Sequence, residues 1–554
     1  MLKSGLMTVV LLASAPAAYA QSTNAGGQLQ LIPPAPDIPR PAPDIKLEPR
    51  AIQAETEPAG LAVRVDTLRV TGATLFSEQT LIAASGFRAS RELTLPEMRT
   101  IAARISAYYH ARGYFLAQAY VPAQYVQSGT VTIAVIEGRY GEIGLSNSTN
   151  LSKHVARGIL SGLDSGDIVA GASIERRLLL LSDLPGIRVK STLSPGASVG
   201  TSDLAVNIVS GRRVTGSVEA DNAGNRYTGT YRLDGTVNVN DPAGIGDMLS
   251  LRVLASTGGL AYGRAAYQAP VANLTLGVAY AHLRYRLGRE FESLDADGTA
   301  DVASIYASYP LIRSRNANLY ALAVLEAKWF EDRIGVVSSQ SNKMSRVATL
   351  GFSADSHDGF GGGGWNTLSA GWTAGHLDLH SPLERAADAV SARAGGSFNK
   401  LEFAAARLQT VSGPLSLYAS VRGQYAFDNL DTSEKMELGG ANAVRAYPEG
   451  DAFGDQGYIA TAEARLNLSQ WVTFVPGQLQ ATAFIDVGMV DYAHEPWSQG
   501  RNSAHRSGIG AGLTWAGPQG FLVKASYAHK LGDAVATSEP DRPGRFWFQI
   551  VKIF

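Results

Sequence analysis

From about Arg212 to its last residue the chain alternates apolar and polar side chains, and no other feature narrows its fold as far. In "TYRLDGTVNVN", Tyr231, Leu233, Val237 and Val239 share one face, and Arg232, Asp234, Thr236 and Asn238 the other. "LSLYASVRGQY" sets Leu415, Leu417 and Val421 against Ser416, Ser420, Arg422 and Gln424. "YIATAEARLNL" sets Ala460, Ala462, Ala464 and Leu466 against Thr461, Glu463, Arg465 and Asn467. A period of two belongs to a β-strand whose faces meet different surroundings. A β-sandwich alternates too, with its polar face in water. The recurrence over the whole segment, the long strands and the glycine-rich turns favour a transmembrane β-barrel.

The segment also finishes inside a strand. "RFWFQIVKIF" puts Phe546, Phe548, Ile550 and Phe554 on one face, an apolar edge that a soluble domain seldom leaves unpaired. Lys552 falls on the same register and is tolerable where lysine can snorkel to an interface. The segment holds 554 − 211 = 343 residues. At roughly 21 residues per strand and connection, sixteen strands fit, and the same arithmetic also admits fourteen or eighteen.

The first twenty residues, "MLKSGLMTVVLLASAPAAYA", combine Lys3, a short apolar run and Ala18-Tyr19-Ala20. They read as a secretory signal over 1–20, with the mature chain starting at Gln21. No later stretch has the eighteen or so apolar residues of a membrane helix. Residues 21–60 are expected to form a linker, extended by Pro33, Pro34, Pro36, Pro39, Pro41, Pro43 and Pro49. There is no cysteine, which removes disulfide and thiolate chemistry, and 48 basic residues against 49 acidic ones give no electrostatic case for nucleic acid.

Between linker and alternating segment lie two units that mix helix and strand. In 61–138, the strand "LAVRVDTLRV" precedes a helix capped at Ser77 and a second with Thr94 as cap, Pro96 in its first turn and Gly113 as stop. The strands "YFLAQAYVP" and "GTVTIAVIEG" close the unit. Residues 139–211 repeat the order: strand "YGEIGLSN", helices "NLSKHVARGILSG" and "ASIERRLLLLSDLPG", strands "IRVKSTLS" and "DLAVNIVSG". Each is a βααββ unit, so the chain carries an internal repeat.

Two such units before a barrel over 212–554 resemble the transporters of two-partner secretion, TpsB proteins of the haemolysin and filamentous-haemagglutinin type. "ARGYFLAQAYVPAQYVQSGTVTIAVIEG" and "LPGIRVKSTLSPGASVGTSDLAVNI" are similar to the ends of that family's two POTRA domains. "DNAGNRYTGTYRLDGTVNVNDPAGIGD" resembles the start of its barrel. The resemblance runs from about Leu61 to Phe554. It implies an outer-membrane pore with its POTRA domains in the periplasm, which bind the N-terminal secretion domain of an unfolded TpsA-type exoprotein and export it, with haemolysin or adhesin activation as an associated role. Outer-membrane lipids and the barrel assembly machinery are the other implied partners. The rival reading is an assembly factor that inserts other outer-membrane proteins. Such factors usually carry more than two POTRA domains.

The resemblance also points to residues. The family's sixth extracellular loop folds inward with a Val-Arg-Gly-Tyr motif at its tip, here Val444, Arg445, Ala446 and Tyr447. Ala446 stands where the family has glycine, and a tip that requires positive φ there would strain it. The implied partner of the arginine is the Phe-x-Asp-x-Gly motif of the inner wall, here Phe484, Asp486 and Gly488. Alternation independently puts these three opposite Ala483, Ile485 and Val487. Phe554 would be the strand signal read during barrel insertion. Many relatives carry a plug helix at the N-terminus, but "QSTNAGGQLQLI" is short and glycine-containing, which predicts a poor helix and no long plug.

Other motifs carry little. "GFGGGG" from Gly359 precedes a strand-like stretch and cradles no phosphate. His376 and His380 lack a third ligand, and "DSHD" at Asp355 to Asp358 reads as a polar loop. No metal, cofactor or enzymatic reaction is expected.

Overall fold

The computed structural model describes residues 23–36, 44–47 and 62–554. The signal segment 1–20 and the mature start lie outside them.

Sixteen antiparallel strands, from Val214–Asp221 to Gly544–Ile553, each pair with the next, and the last pairs with the first. The barrel and its strand number are those the alternation and the chain length predict. The wall is inside out relative to a soluble protein. Leu233 is 59% exposed and its neighbour Asp234 2%. An apolar outer face around a polar lumen is stable only where lipid replaces water outside. The strands are uneven, from 8 residues in Val214–Asp221 to 20 in Ser339–Asp358.

The first βααββ unit packs helices Glu78–Ser85 and Leu95–His110 against the sheet of Thr67–Thr71, Thr130–Ile136 and Gln118–Tyr120. Ser77 caps the first helix, Gly86 ends it at φ 69, and Thr94 and Glu97 form a capping box on the second. Ile105, Tyr109 and Ile133 are fully buried in its core. The second unit places helices Lys153–Leu160 and Gly171–Ser182 against strands Arg139–Asn147, Ile187–Pro195 and Thr201–Ser210. It is fastened to the barrel rim. Arg313 grips Asp183 with two nitrogens at 2.8 Å, and Arg176 Nη2 donates to the Pro310 carbonyl at 2.8 Å.

Two parts of the linker depart from the expected spacer. Asp44–Leu47 pairs in parallel with Ile187–Pro195, with Asp44 opposite Lys190. This stretch lies between Pro43 and Pro49 and contains no proline, so all its N–H groups remain to pair. The second departure is a correction. Ala25–Gln30 forms a six-residue helix, and it lies inside the barrel. It is short, but it is not the poor helix that its glycines predict. Asn24 Oδ1 caps Gly27 N at 2.8 Å, and tertiary contacts supply what propensity lacks. Asp332 accepts from Ala25 N at 2.7 Å, and Thr228 donates to Gln28 at 2.9 Å. Arg232 and Arg252 hold the carbonyls of Leu31 and Pro33 at 3.1 and 2.8 Å. Gly26 is useful here because a Cβ would lie 3.0 Å from Ser433.

Candidate functional site: the inward hairpin

The connection between strands Leu415–Ala426 and Gln456–Asn467 turns into the lumen. Its two limbs pair through the short strands Met436–Glu437 and Phe453–Gly454. The near limb is held by charge. Asp431 meets Lys343 at 2.6 Å, and Glu434 meets Lys328 at 2.8 Å and Lys400 at 3.2 Å. Burial alone would raise the pKa of Asp431 and Glu434, but the lysines outweigh it, and both are held below the usual carboxylate range. Thr432 also donates to Asn24 at 2.9 Å, and Gln30 to the Ser433 carbonyl, so the plug helix rests on the hairpin.

At the tip, Arg445 reaches the wall. Its Nε and Nη2 donate to Asp486 at 2.8 and 2.7 Å, the bidentate geometry that a planar guanidinium allows. Nη1 donates to Glu463 at 2.8 Å, and the guanidinium lies 3.4 Å from the centre of the Phe484 ring. The Arg445 backbone N–H reaches Asp486 at 3.2 Å, and its carbonyl accepts from Trp547 Nε1 at 2.7 Å. Thr461 completes the shell of Asp486 at 2.9 Å. Burial would lower the pKa of Arg445, but Asp486 and then Glu463 outweigh it, so the cation is reinforced.

The structure brings together Val444, Arg445, Ala446, Tyr447, Phe484, Asp486 and Gly488. Val444, Ala446 and Tyr447 are fully buried. Ala446 has no positive φ, so the methyl group strains nothing. It fits because the facing residue is Gly508, whose Cβ would come within 2.5 Å of it. Gly488 similarly makes room for Leu438, which a Cβ would meet at 2.6 Å. Phe554 lies away from this cluster, at the seam, where it exchanges two 3.0 Å backbone hydrogen bonds with Gly216.

Further up the hairpin, Glu449 is buried and Glu437 half-buried. Burial pushes Glu449 up to about 7, and burial and Glu449 together push Glu437 well up.

Glu463 and the five charged residues that hold the near limb, two on the hairpin and three on the wall, did not stand out in the sequence. Glu463 shares the polar face of its strand with Thr461, and that alternation was the available signal. His376 sits beside Asp378 and Ser397, and Asp358 pairs with Arg407 at 2.7 Å. Among the described residues no three His, Cys, Asp or Glu side chains cluster as metal ligands.

A sixteen-strand barrel with two βααββ units on one side and an arginine-pinned hairpin in its lumen defines the POTRA-bearing barrels of the outer membrane. Comparison with known proteins narrows this. A family model described as haemolysin secretion/activation protein ShlB/FhaC/HecB matches residues 200–515, and one for the ShlB-type POTRA domain matches residues 63–138. The chain is 27% identical over 480 residues to the heme/hemopexin transporter protein HuxB of Haemophilus influenzae, covering 84% of this chain and 82% of that one. It is 24% identical over 456 residues to the outer membrane transporter CdiB of Dickeya dadantii, covering 80% and 79%. The solved structure of CdiB from Escherichia coli superposes with a TM-score of 0.73 at 20% identity, over 91% of this chain and 93% of that one. The chain belongs to the haemolysin secretion/activation family. It is a two-partner secretion transporter of the outer membrane, with its POTRA domains in the periplasm, and the assembly-factor alternative is not favoured.

Proposed function

We propose that the units 61–138 and 139–211 capture an unfolded TpsA-type exoprotein by its N-terminal secretion domain and pass it into the 212–554 barrel, where the inward hairpin gates the path. Capture uses main-chain hydrogen bonds, because a sheet edge can accept an extended strand. The periplasm supplies no ATP, so directed movement comes from binding and from folding at the cell surface. Arg445 holds the hairpin in the position that export requires. Lipid meets the apolar outer face, and the assembly machinery reads the strand that ends at Phe554.

One observation carries this reading: the lumen is filled by a hairpin and a short helix that are separate from the wall and tied to it by hydrogen bonds and ion pairs as well as by apolar packing. The hydrogen bonds on the plug helix are worth about 0.5–1.5 kcal/mol net where both partners are neutral and about 1.5–3 kcal/mol where one is charged, and a cargo that makes its own contacts with the lumen can replace them. The test is co-expression with a large candidate exoprotein. Removing 62–138 should abolish its appearance outside the cell while the barrel keeps its heat-modifiable migration. Undiminished secretion would overturn the reading.

A further inference from the structure

The hairpin has a second fastening, on the wall strand next to the one that carries Asp486. Asp451, fully buried, accepts from Arg506 Nε at 2.7 Å. Arg506 is itself 7% exposed and belongs to strand Ser503–Ala516. The other oxygen of Asp451 accepts from Thr537 Oγ1 at 2.6 Å and from the Thr537 backbone N–H. Thr537 lies in the last extracellular loop, between Phe521–Lys530 and Gly544–Ile553. That loop leans on the hairpin throughout. Arg506 Nη2 holds the Val535 carbonyl at 3.2 Å, Tyr447 donates to the Ala534 carbonyl at 3.2 Å, and Ser538 to the Glu449 carbonyl at 3.0 Å. Arg506 and Lys530 flank the Tyr447 ring at 4.9 and 4.7 Å. Ala536 and Ser538 are buried, which is unusual for a loop at a water-facing mouth.

Beside Asp451, Ala452 is held at φ 55, where a residue with a side chain is strained and persists only if its surroundings fix it. Its carbonyl accepts from the Leu438 N–H at 3.0 Å across the hairpin, and the clamp holds the residue before it. The clamp's contacts are hydrogen bonds to charge, strong while assembled and able to re-form.

We propose that Asp451 is a positioning residue that clamps the last extracellular loop onto the inward hairpin, and that the pore conducts when this clamp opens. The proposal rests on the hairpin being the movable part of the pore, and Arg445→Ala tests that premise separately.

The experiment records KCl current through the purified full chain in planar lipid bilayers, with heat-modifiable migration as the measure of folding. Thr537→Val keeps the shape of the side chain and loses its hydroxyl, while Thr537→Ser keeps the hydroxyl. Asp451→Asn and Thr537→Val should raise the open fraction by about tenfold with migration unchanged, and Thr537→Ser should gate as the parent does. Unaltered gating in both Asp451→Asn and Thr537→Val would overturn the proposal. If Arg445→Ala alone opened the pore, only the clamp would fall. If none of the three did, the movable hairpin would fall with it.

A covalent version decides the matter should those variants fold poorly. The chain has no cysteine, so Asp451→Cys with Thr537→Cys gives one pair to bridge. Oxidation should suppress opening below the parent level, and reduction should raise it above. A bridged pore that opens as often as the parent, or a pair that will not bridge, would refute the clamp.

Discussion

Glu463 approaches Arg445 as closely as Asp486 does, so the guanidinium joins two neighbouring wall strands and belongs to neither alone. Glu463 is in turn held by Arg465 at 2.7 Å. The tip contact is therefore a small network of largely buried charges. Breaking such a network by removing one member costs about 3–5 kcal/mol locally, because a partner is left buried and uncompensated.

Arg445→Ala should accordingly impair export of a co-expressed exoprotein strongly while leaving barrel abundance and migration intact. Arg445→Lys should rescue poorly, since a point charge cannot serve two carboxylates and stack on Phe484 together. With surface abundance held equal, the defects of Arg445→Ala and Asp486→Ala should be far from additive, with a coupling of about 0.5–3 kcal/mol. Full additivity would mean that the two residues act independently.

The hairpin should also respond to pH through Glu449. Its folded value of about 7 lies above the ordinary 4.5, so between the two the folded hairpin binds more protons than a released one. Stability then falls as pH rises through that window and levels off above it. Asp431 and Glu434 are shifted the other way, and their contribution is lost only below the usual carboxylate range. Hydrogen-exchange protection factors over 436–454 should be higher near about pH 5 than near about pH 8, and Glu449→Gln should flatten the difference. Greater protection at the higher pH would contradict this assignment.

The plug can be tested at one glycine. Gly26→Ala needs its neighbours to yield by only a few tenths of an ångström, whereas Gly26→Val drives a branched side chain into Ser433 and Thr432. Gly26→Val should release the helix and raise both bilayer conductance and the vancomycin sensitivity of producing cells, with Gly26→Ala close to the parent. Equal behaviour of the two variants would show that this contact does not seat the helix.

Deleting Phe554 should lower the amount of barrel in the outer membrane without unfolding the POTRA units. The seam strands share five registered residue pairs, and Phe554 adds two backbone bonds to Gly216 beyond them. Normal abundance and normal heat-modifiable migration of the shortened protein would count against it.

The barrel was legible because its strands keep one alternation along most of their length: Leu233 faces lipid and Asp234 the lumen. The tip motif was legible through family resemblance, and alternation added the orientation of Asp486. What could not be read was context. "NAGGQL" has low helix propensity, and only the lumen wall makes it a helix. An isolated Arg445–Asp486 pair at an exposed site would be worth about 0–1 kcal/mol, and nothing local in the sequence announces that Glu463 joins it. Lys328, Lys343 and Lys400 come from three different strands, and only closure of the barrel brings them to one loop.

The strand count has a further consequence, one of parity. Because sixteen is even, the first and last strands of the wall open on the same face of the bilayer, the periplasmic one. Every strand can then be laid down as half of a hairpin begun and finished in a single compartment, and only loop tips cross to the other side. No terminus of the wall has to be threaded through lipid, and the seam between Gly216 and Phe554 closes on the side where both strands begin and end.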